Sequence, residues 1–176
     1  MKKLILIVFL TGFLFNSCKV LDDVTTFNID INTNFNIDAN TVANTSYIIG
    51  LEIPTGDITT ALENNNTHAD LVDEINITSC IMTITSPNGG TFEFLEQITV
   101  FVNADGLTEK RIAWSDTLNS NNNITLILDA ETNLKDYLTS DSFSIHVEGL
   151  NNQDLTEDYH IDLDMSFLVN AQLLGR

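Results

Sequence analysis

The sequence predicts an all-β protein built as an antiparallel β-sandwich, and three observations lead to that prediction. Apolar and polar residues alternate with a period of two over many segments, which is typical of strands that bury one face. Polar clusters containing Gly, Pro, Asn or Asp separate about eight such segments. No segment predicts a helix long enough to connect parallel strands. Immunoglobulin-like and jelly-roll strand orders both fit this pattern.

The alternation is clearest at residues 27–39, where every even position is Asn or Asp and most odd positions are apolar. A strand of this length favours a bend or bulge near Thr33. The same pattern predicts further strands at 47–53, 75–85, 91–103, 111–115, 124–128, 143–147 and 159–169. The strand at 47–53 ends at Pro54, and residues 57–69 are polar enough to predict a loop.

Two connections between these strands have turn-like sequences. Ser86-Pro87-Asn88-Gly89-Gly90 separates the strands at 75–85 and 91–103, and it predicts a hairpin because its glycines allow positive φ angles. The last two strands form a second hairpin if the loop at 150–158 closes between them. Short helical turns are predicted at 67–74 and 133–138, the first because Thr67 and Asp70 are spaced as a capping pair.

The N-terminal residues predict an export signal. Lys2 and Lys3 precede an apolar run that extends to Phe15, which is shorter than the ~20 residues that a membrane-spanning helix needs. We therefore predict that residues 1–17 are a signal peptide that is removed. An ordinary signal peptide followed by an incidental cysteine is the alternative.

Phe15-Asn16-Ser17-Cys18 resembles the lipobox of bacterial lipoproteins, although Phe15 replaces the usual Leu and Asn16 the usual small residue. The resemblance implies that Cys18 is diacylated and becomes the mature N-terminus, and two acyl chains anchor a protein stably. Boxes that end in Ser-Cys resemble those of Bacteroidota lipoproteins. Lys19 with Asp22-Asp23 resembles the tag that directs some of them to the outer face. The resemblance implies an outer-membrane lipoprotein, at either the surface or the periplasmic face.

The mature chain predicts one domain. Removal of 17 of the 176 residues leaves 159, which suits a single core. We assign residues 18–24 to a lipidated tether and residues 25–176 to one β-sandwich. Because Cys18 is acylated in this scheme, Cys80 has no disulfide partner, and its position within a strand predicts a small buried apolar side chain.

The charge of the mature chain limits its partners. It carries five basic residues against 25 acidic ones, a net charge of −20. Nucleic acid is an unfavourable partner because its binding needs clustered Lys and Arg. Anionic membrane surfaces repel the domain, so contact with the membrane is through the lipid on Cys18 only. Cations, neutral glycans and basic protein surfaces remain as partners.

A candidate zinc-like site lies on the predicted last hairpin. If that hairpin forms, five outward side chains share one exposed face, where imidazoles and carboxylates could bind a cation. The alternative is a solvated face whose charges serve solubility. The five residues are His146, Glu148, His160, Asp162 and Asp164.

Three further features suggest ligand binding or modification. Asp154, Glu157 and Asp158 could provide oxygen ligands for Ca²⁺, although the loop lacks EF-hand spacing. The Asn and Asp side chains of 28–38 suit hydroxyl-rich ligands or a neighbouring chain, with surface solvation as the alternative. Asp116-Thr117-Leu118 resembles the acceptor tripeptide for protein O-glycosylation in Bacteroidota, which would place a glycan on Thr117.

Catalysis finds little support, because the sequence contains no nucleophile elbow, zinc-protease motif or phosphate loop. Residues 72–104 resemble uncharacterised β-sandwich lipoproteins of the Bacteroidota, which implies an anchored module for binding or scaffolding. We therefore expect a non-catalytic envelope protein without a cofactor, whose partner is a protein or glycan. A glycan- or calcium-binding accessory lipoprotein is the first alternative, and a hydrolase with an unrecognised site is the second.

Overall fold

The computed structural model describes residues 24–118 and 120–174, which fold as an antiparallel β-sandwich. The predicted fold class is confirmed. The predicted signal peptide at 1–17, Cys18 and the tether as far as residue 23 lie outside the described residues. Within the described residues, no helix has the length and apolar character required to span a membrane.

The described part of the chain contains nine strands and two α-helices. In chain order the strands are β1 (Val24–Ile37), β2 (Ser46–Ile53), β3 (Val72–Ser86), β4 (Leu95–Ala104), β5 (Lys110–Ser115), β6 (Asn123–Thr125), β7 (Ile127–Leu128), β8 (Phe143–Asn151) and β9 (Tyr159–Gln172), and the helices are α1 (Thr55–Asn64) and α2 (Lys135–Leu138).

The strands form two sheets in which all neighbours are antiparallel. Sheet I has the order β1-β9-β3-β6, and sheet II has the order β2-β8-β4-β5-β7. The longest pairing joins β1 to β9, from Val24 opposite Gln172 to Ile37 opposite Tyr159. No register shift interrupts that pairing, so β1 contains no bulge near Thr33, one of the two features predicted there.

The core lies between the two sheets and follows the period-two pattern. On β9, alternate residues from Ile161 to Ala171 are at most 1% exposed. Complete burial of each large apolar side chain contributes about 1.5–3 kcal/mol to folding. Cys80 on β3 is fully buried and free, which confirms its prediction as a small apolar side chain, and burial raises the pKa of its thiol to about 12.

Both predicted hairpins are wrong. β3 and β4 belong to different sheets, and the segment between them crosses from one sheet to the other instead of connecting two paired strands. The crossing has a physical cause, because Phe92 and Phe94 lie in a 3₁₀ turn and are fully buried in the core. β8 and β9 are also in different sheets, since β8 pairs with β2 and β4 while β9 pairs with β1 and β3.

The helical segments differ partly from the predictions. The predicted loop at 57–69 is mostly helix α1, which buries Ile58 and Leu62 one turn apart against the core. The turn predicted at 67–74 is a 3₁₀ turn at Ala69–Leu71, and the turn predicted at 133–138 is α2.

Candidate functional site

The outer face of sheet I is mainly polar and is held together by hydrogen bonds between strands. Ser166 on β9 donates to Asp30 on β1 at 2.6 Å. His160 on β9 bonds to Asn36 on β1 through its Nδ1 atom. These side chains satisfy one another and present carboxylates, amides and hydroxyls to solvent, as the sequence predicts for the Asn and Asp face of 28–38.

The outer face of sheet II has a different character, because apolar side chains occupy outward positions on four strands. Ile48 on β2 and Ile127 on β7 are 67% and 52% exposed. Phe101 on β4 and Trp114 on β5 are partly exposed on the same face. We call Ile48, Phe101, Trp114 and Ile127 the apolar patch.

The strand register shows how the patch is arranged. Trp114 lies opposite Ile127 on one side and opposite Thr99 on the other. Thr99 lies opposite Glu148, which in turn lies opposite Ile48. A single row of cross-strand neighbours therefore spans all five strands of sheet II, a width of about 19 Å at the usual strand spacing, and within it Thr99 and Glu148 separate Ile48 from Trp114.

Charged groups surround the patch in defined pairs. The Arg111 guanidinium lies 5.3 Å from the centre of the Trp114 ring. Arg111 Nε donates to Asp129 Oδ2 at 2.8 Å, and Arg111 Nη2 donates to Asp129 Oδ1 at 3.4 Å. This hydrogen bonding raises the pKa of Arg111. His146 pairs through Nδ1 with Glu109. A stacked, forked Arg is held in one orientation, which reduces the entropy lost when a partner binds.

The predicted zinc-like set is divided between the two sides of the sandwich, so its shared face is a wrong prediction. His146 and Glu148 face outward from sheet II, while the other three residues face outward from sheet I. The cause is that β8 and β9 belong to different sheets, and packed sheets lie about 10 Å apart. Among the residues that the structure describes, no group of three or more His, Cys, Asp or Glu could hold a metal ion. The three residues on sheet I are His160, Asp162 and Asp164.

The predicted calcium ligands mostly support a neighbouring loop. Asp154 Oδ1 accepts the Ala43 N–H at 2.7 Å, and Asp158 Oδ1 accepts the Ala39 N–H at 2.6 Å. These two carboxylates therefore join the loop after β8 to the loop after β1. Glu157 is exposed beside Tyr159, whose pKa is raised by burial and secondly by the charge of Glu157.

Thr117, the predicted glycan acceptor, is exposed after the end of β5. Its hydroxyl donates to Asp116 at 3.2 Å, and its N–H donates to Ser115 Oγ at 3.3 Å. Leu118 packs against the core beside it. O-glycosylation of Thr117 stays a prediction.

The sequence analysis does not predict the apolar patch, although the sequence contains a signal for it. Ile48, Phe101 and Ile127 each lie within three consecutive apolar residues, where strict alternation predicts a polar residue at the centre. Tyr137 is buried and its hydroxyl donates to the Thr108 carbonyl at 2.6 Å, whereas Trp114 faces outward.

No protein-family model matches the chain, and no curated protein matches it. Solved structures do match, and one of them is titled Desmodium yellow mottle tymovirus. It is 12% identical, with 85% of this chain and 91% of its own covered, at a TM-score of 0.24. A similarity this low supports no argument about what the chain does.

Proposed function

We propose that the protein is a lipid-anchored cell-envelope module that binds another protein through the apolar patch and catalyses no reaction. The single observation that supports this proposal is the contrast between the two outer faces. One is hydrogen-bonded and polar, while the other carries exposed Ile127 beside Trp114 and Arg111, and exposed Ile48 on the edge strand β2. Exposed apolar residues that cluster on one face are a feature of interaction surfaces.

The composition of the patch favours a protein partner. Trp, Phe and Arg are enriched in protein interfaces, and Trp and Arg are among the residues whose truncation most often costs binding energy. Arg111 is already stacked near Trp114 and fixed by Asp129, so a partner meets a preorganised surface. The tether from Cys18 would hold this surface near the membrane, where a partner of the same envelope is concentrated.

A glycan is the second candidate ligand, and the partly exposed ring of Trp114 is the observation that favours it. An indole face offers a stacking platform for a sugar ring. A glycan would depend on Trp114 more than on the isoleucines at the two ends of the patch. The two candidates therefore differ in which substitutions remove binding.

The test is a pull-down from detergent-solubilised envelope with a tagged chain. The patch variant Ile48→Thr/Ile127→Thr keeps β-branched residues in both strands. The control variant Val24→Thr/Val42→Thr removes apolar residues that are 61% and 58% exposed outside the patch. Equal melting temperatures would establish that both variants fold.

We expect wild type and the control variant to recover a stoichiometric partner, and the patch variant to recover at least tenfold less. Failure of wild type to recover any stoichiometric partner would contradict the proposal. So would equal recovery by the patch variant.

A further inference from the structure

A groove lies along one side of the sandwich, where β1 forms the edge of sheet I and β2 the edge of sheet II. Residues 28–33 of β1 form one wall, and the end of β2 with the first turns of α1 forms the other. The groove has a volume of about 330 Å³ and is open to solvent. We call it the edge groove, and it is separate from the apolar patch on the outer face of sheet II.

The edge groove combines an apolar floor with an acidic rim. Four isoleucines that are 2–8% exposed line it, namely Ile29, Ile31, Ile53 and Ile58. Its carboxylates are Asp30, which accepts a hydrogen bond from Ser166, together with Glu52 and Asp57, all of them exposed.

The carboxylates of the groove have no basic neighbour among the residues that line it. No Lys or Arg lines it, and in the described ranges 24–118 and 120–174 the basic residues lie on β5 and α2. β5 is separated from the β2 edge of sheet II by β8 and β4. The residues that line the groove therefore carry a net negative charge, which attracts a basic ligand.

The unpaired backbone edge of β1 offers a second means of binding a ligand, through main-chain hydrogen bonds. β1 pairs with β9 along all 14 of its residues, and within the described residues no strand pairs with its other edge. In an antiparallel strand, alternate residues direct their N–H and C=O groups away from the paired neighbour. A long free edge of this kind is a template for an added strand.

We propose that the edge groove binds an extended segment of a partner protein that carries Lys or Arg at alternate positions and pairs with β1 as an additional strand. The methylene groups of each basic side chain pack on the isoleucine floor, while the charged ends reach Glu52 and Asp57. Addition of a strand supplies main-chain hydrogen bonds, and the acidic rim supplies specificity. A second copy of this chain is a poor occupant, because the net charge of the mature chain, −20, opposes association.

The experiment measures binding of two capped eight-residue peptides that alternate lysine and valine, by fluorescence anisotropy at low salt. The second peptide carries an N-methyl group on every backbone nitrogen, which removes the N–H donors of both edges and so prevents it from pairing as a strand but leaves its charge unchanged. The groove variant is Glu52→Gln/Asp57→Asn. The matched control is Asp162→Asn/Asp164→Asn, which removes the same charge from the outer face of sheet I.

We expect the plain peptide to bind wild type and the control variant with affinities within twofold, and the groove variant at least tenfold more weakly. The N-methylated peptide should not bind, and the amides of residues 28–33 should gain protection from hydrogen exchange only with the plain peptide. Equal binding of both peptides, or an equal loss in the control variant, would overturn the proposal. Ile48→Thr/Ile127→Thr should bind the peptide as wild type does, which separates this proposal from the proposed function.

Discussion

The ring of Tyr47 on β2 lies against the backbone of Gly149, its register partner on β8. A β-carbon at position 149 would fall 2.2 Å from both Cζ and the hydroxyl oxygen of Tyr47. Glycine at position 149 is therefore required for the Tyr47 ring to occupy its place at the β2 edge of sheet II.

Gly149→Ala should destabilise the fold by about 1–3 kcal/mol, the usual cost of overpacking. The cost should depend on Tyr47, because leucine at position 47 lacks the ring atoms that clash. We therefore expect Gly149→Ala to cost less than about 0.5 kcal/mol in a Tyr47→Leu background. Urea unfolding followed by Trp114 fluorescence measures the wild type and the three variants, and additive losses would contradict this contact.

Tyr47→Phe should stabilise the protein at neutral pH by about 1 kcal/mol, because the Tyr47 hydroxyl is buried without a hydrogen-bond partner. Burial also raises the pKa of Tyr47 above its usual value of 10.0. Above that pH the unfolded chain releases the proton while the folded chain retains it, so stability falls as pH rises, by at most about 1.4 kcal/mol per pH unit.

The same substitution should therefore reduce the loss of stability between pH 10 and 11, while the contribution of Cys80 remains. Urea unfolding at a series of pH values measures both effects. A destabilised Tyr47→Phe protein at pH 7 would mean that the hydroxyl has a bonding partner.

Asp158→Ala should lower the stability by about 1 kcal/mol, because the Ala39 N–H loses its acceptor. If the Asp158 carboxylate acts only as the acceptor for this N–H, the loss of stability is the same with EDTA and with Ca²⁺. Melting curves of both proteins under the two conditions check this. A wild-type melting temperature that rises with Ca²⁺, together with no rise in the variant, would instead favour the calcium-binding alternative.

Cys18→Ser should abolish the incorporation of labelled palmitate and release the protein from the membrane fraction, because the acyl chains are the predicted anchor. Cys80→Ser is the matched control, since Cys80 is a buried residue of the core. Metabolic labelling followed by fractionation measures both properties. Label that remains in the Cys18→Ser protein would contradict the predicted anchor.

Much of the fold is predictable from the sequence because the period-two pattern depends on burial alone. Residues 159–169 and 27–39 alternate as the pattern requires, and their inward faces lie in the core. The pattern states which face of a strand is buried, but it contains no information on which strand lies beside it. The segment at 86–90 suits a hairpin and a crossing between sheets equally, and only the buried Phe92 and Phe94 favour the crossing.

The candidate sites depend on that missing information. The zinc-like set requires β8 and β9 to be neighbours, and it is divided once they lie in different sheets. The apolar patch shows the converse effect of strand order. Its residues are distant in sequence, and only the order β2-β8-β4-β5-β7 places them on one face. Helix α1 was missed because Ile58 and Leu62 are two apolar residues within a polar segment.

The most direct test of the central claim, that the outer face of sheet II contacts a partner, is photo-crosslinking in intact envelope. A photoreactive residue at position 127 lies in the patch, whereas one at position 125, two residues earlier, lies on β6 of sheet I and is also exposed. We expect one crosslinked species from position 127 and none from position 125. Equal crosslinking from both positions, or none from 127, would contradict the account.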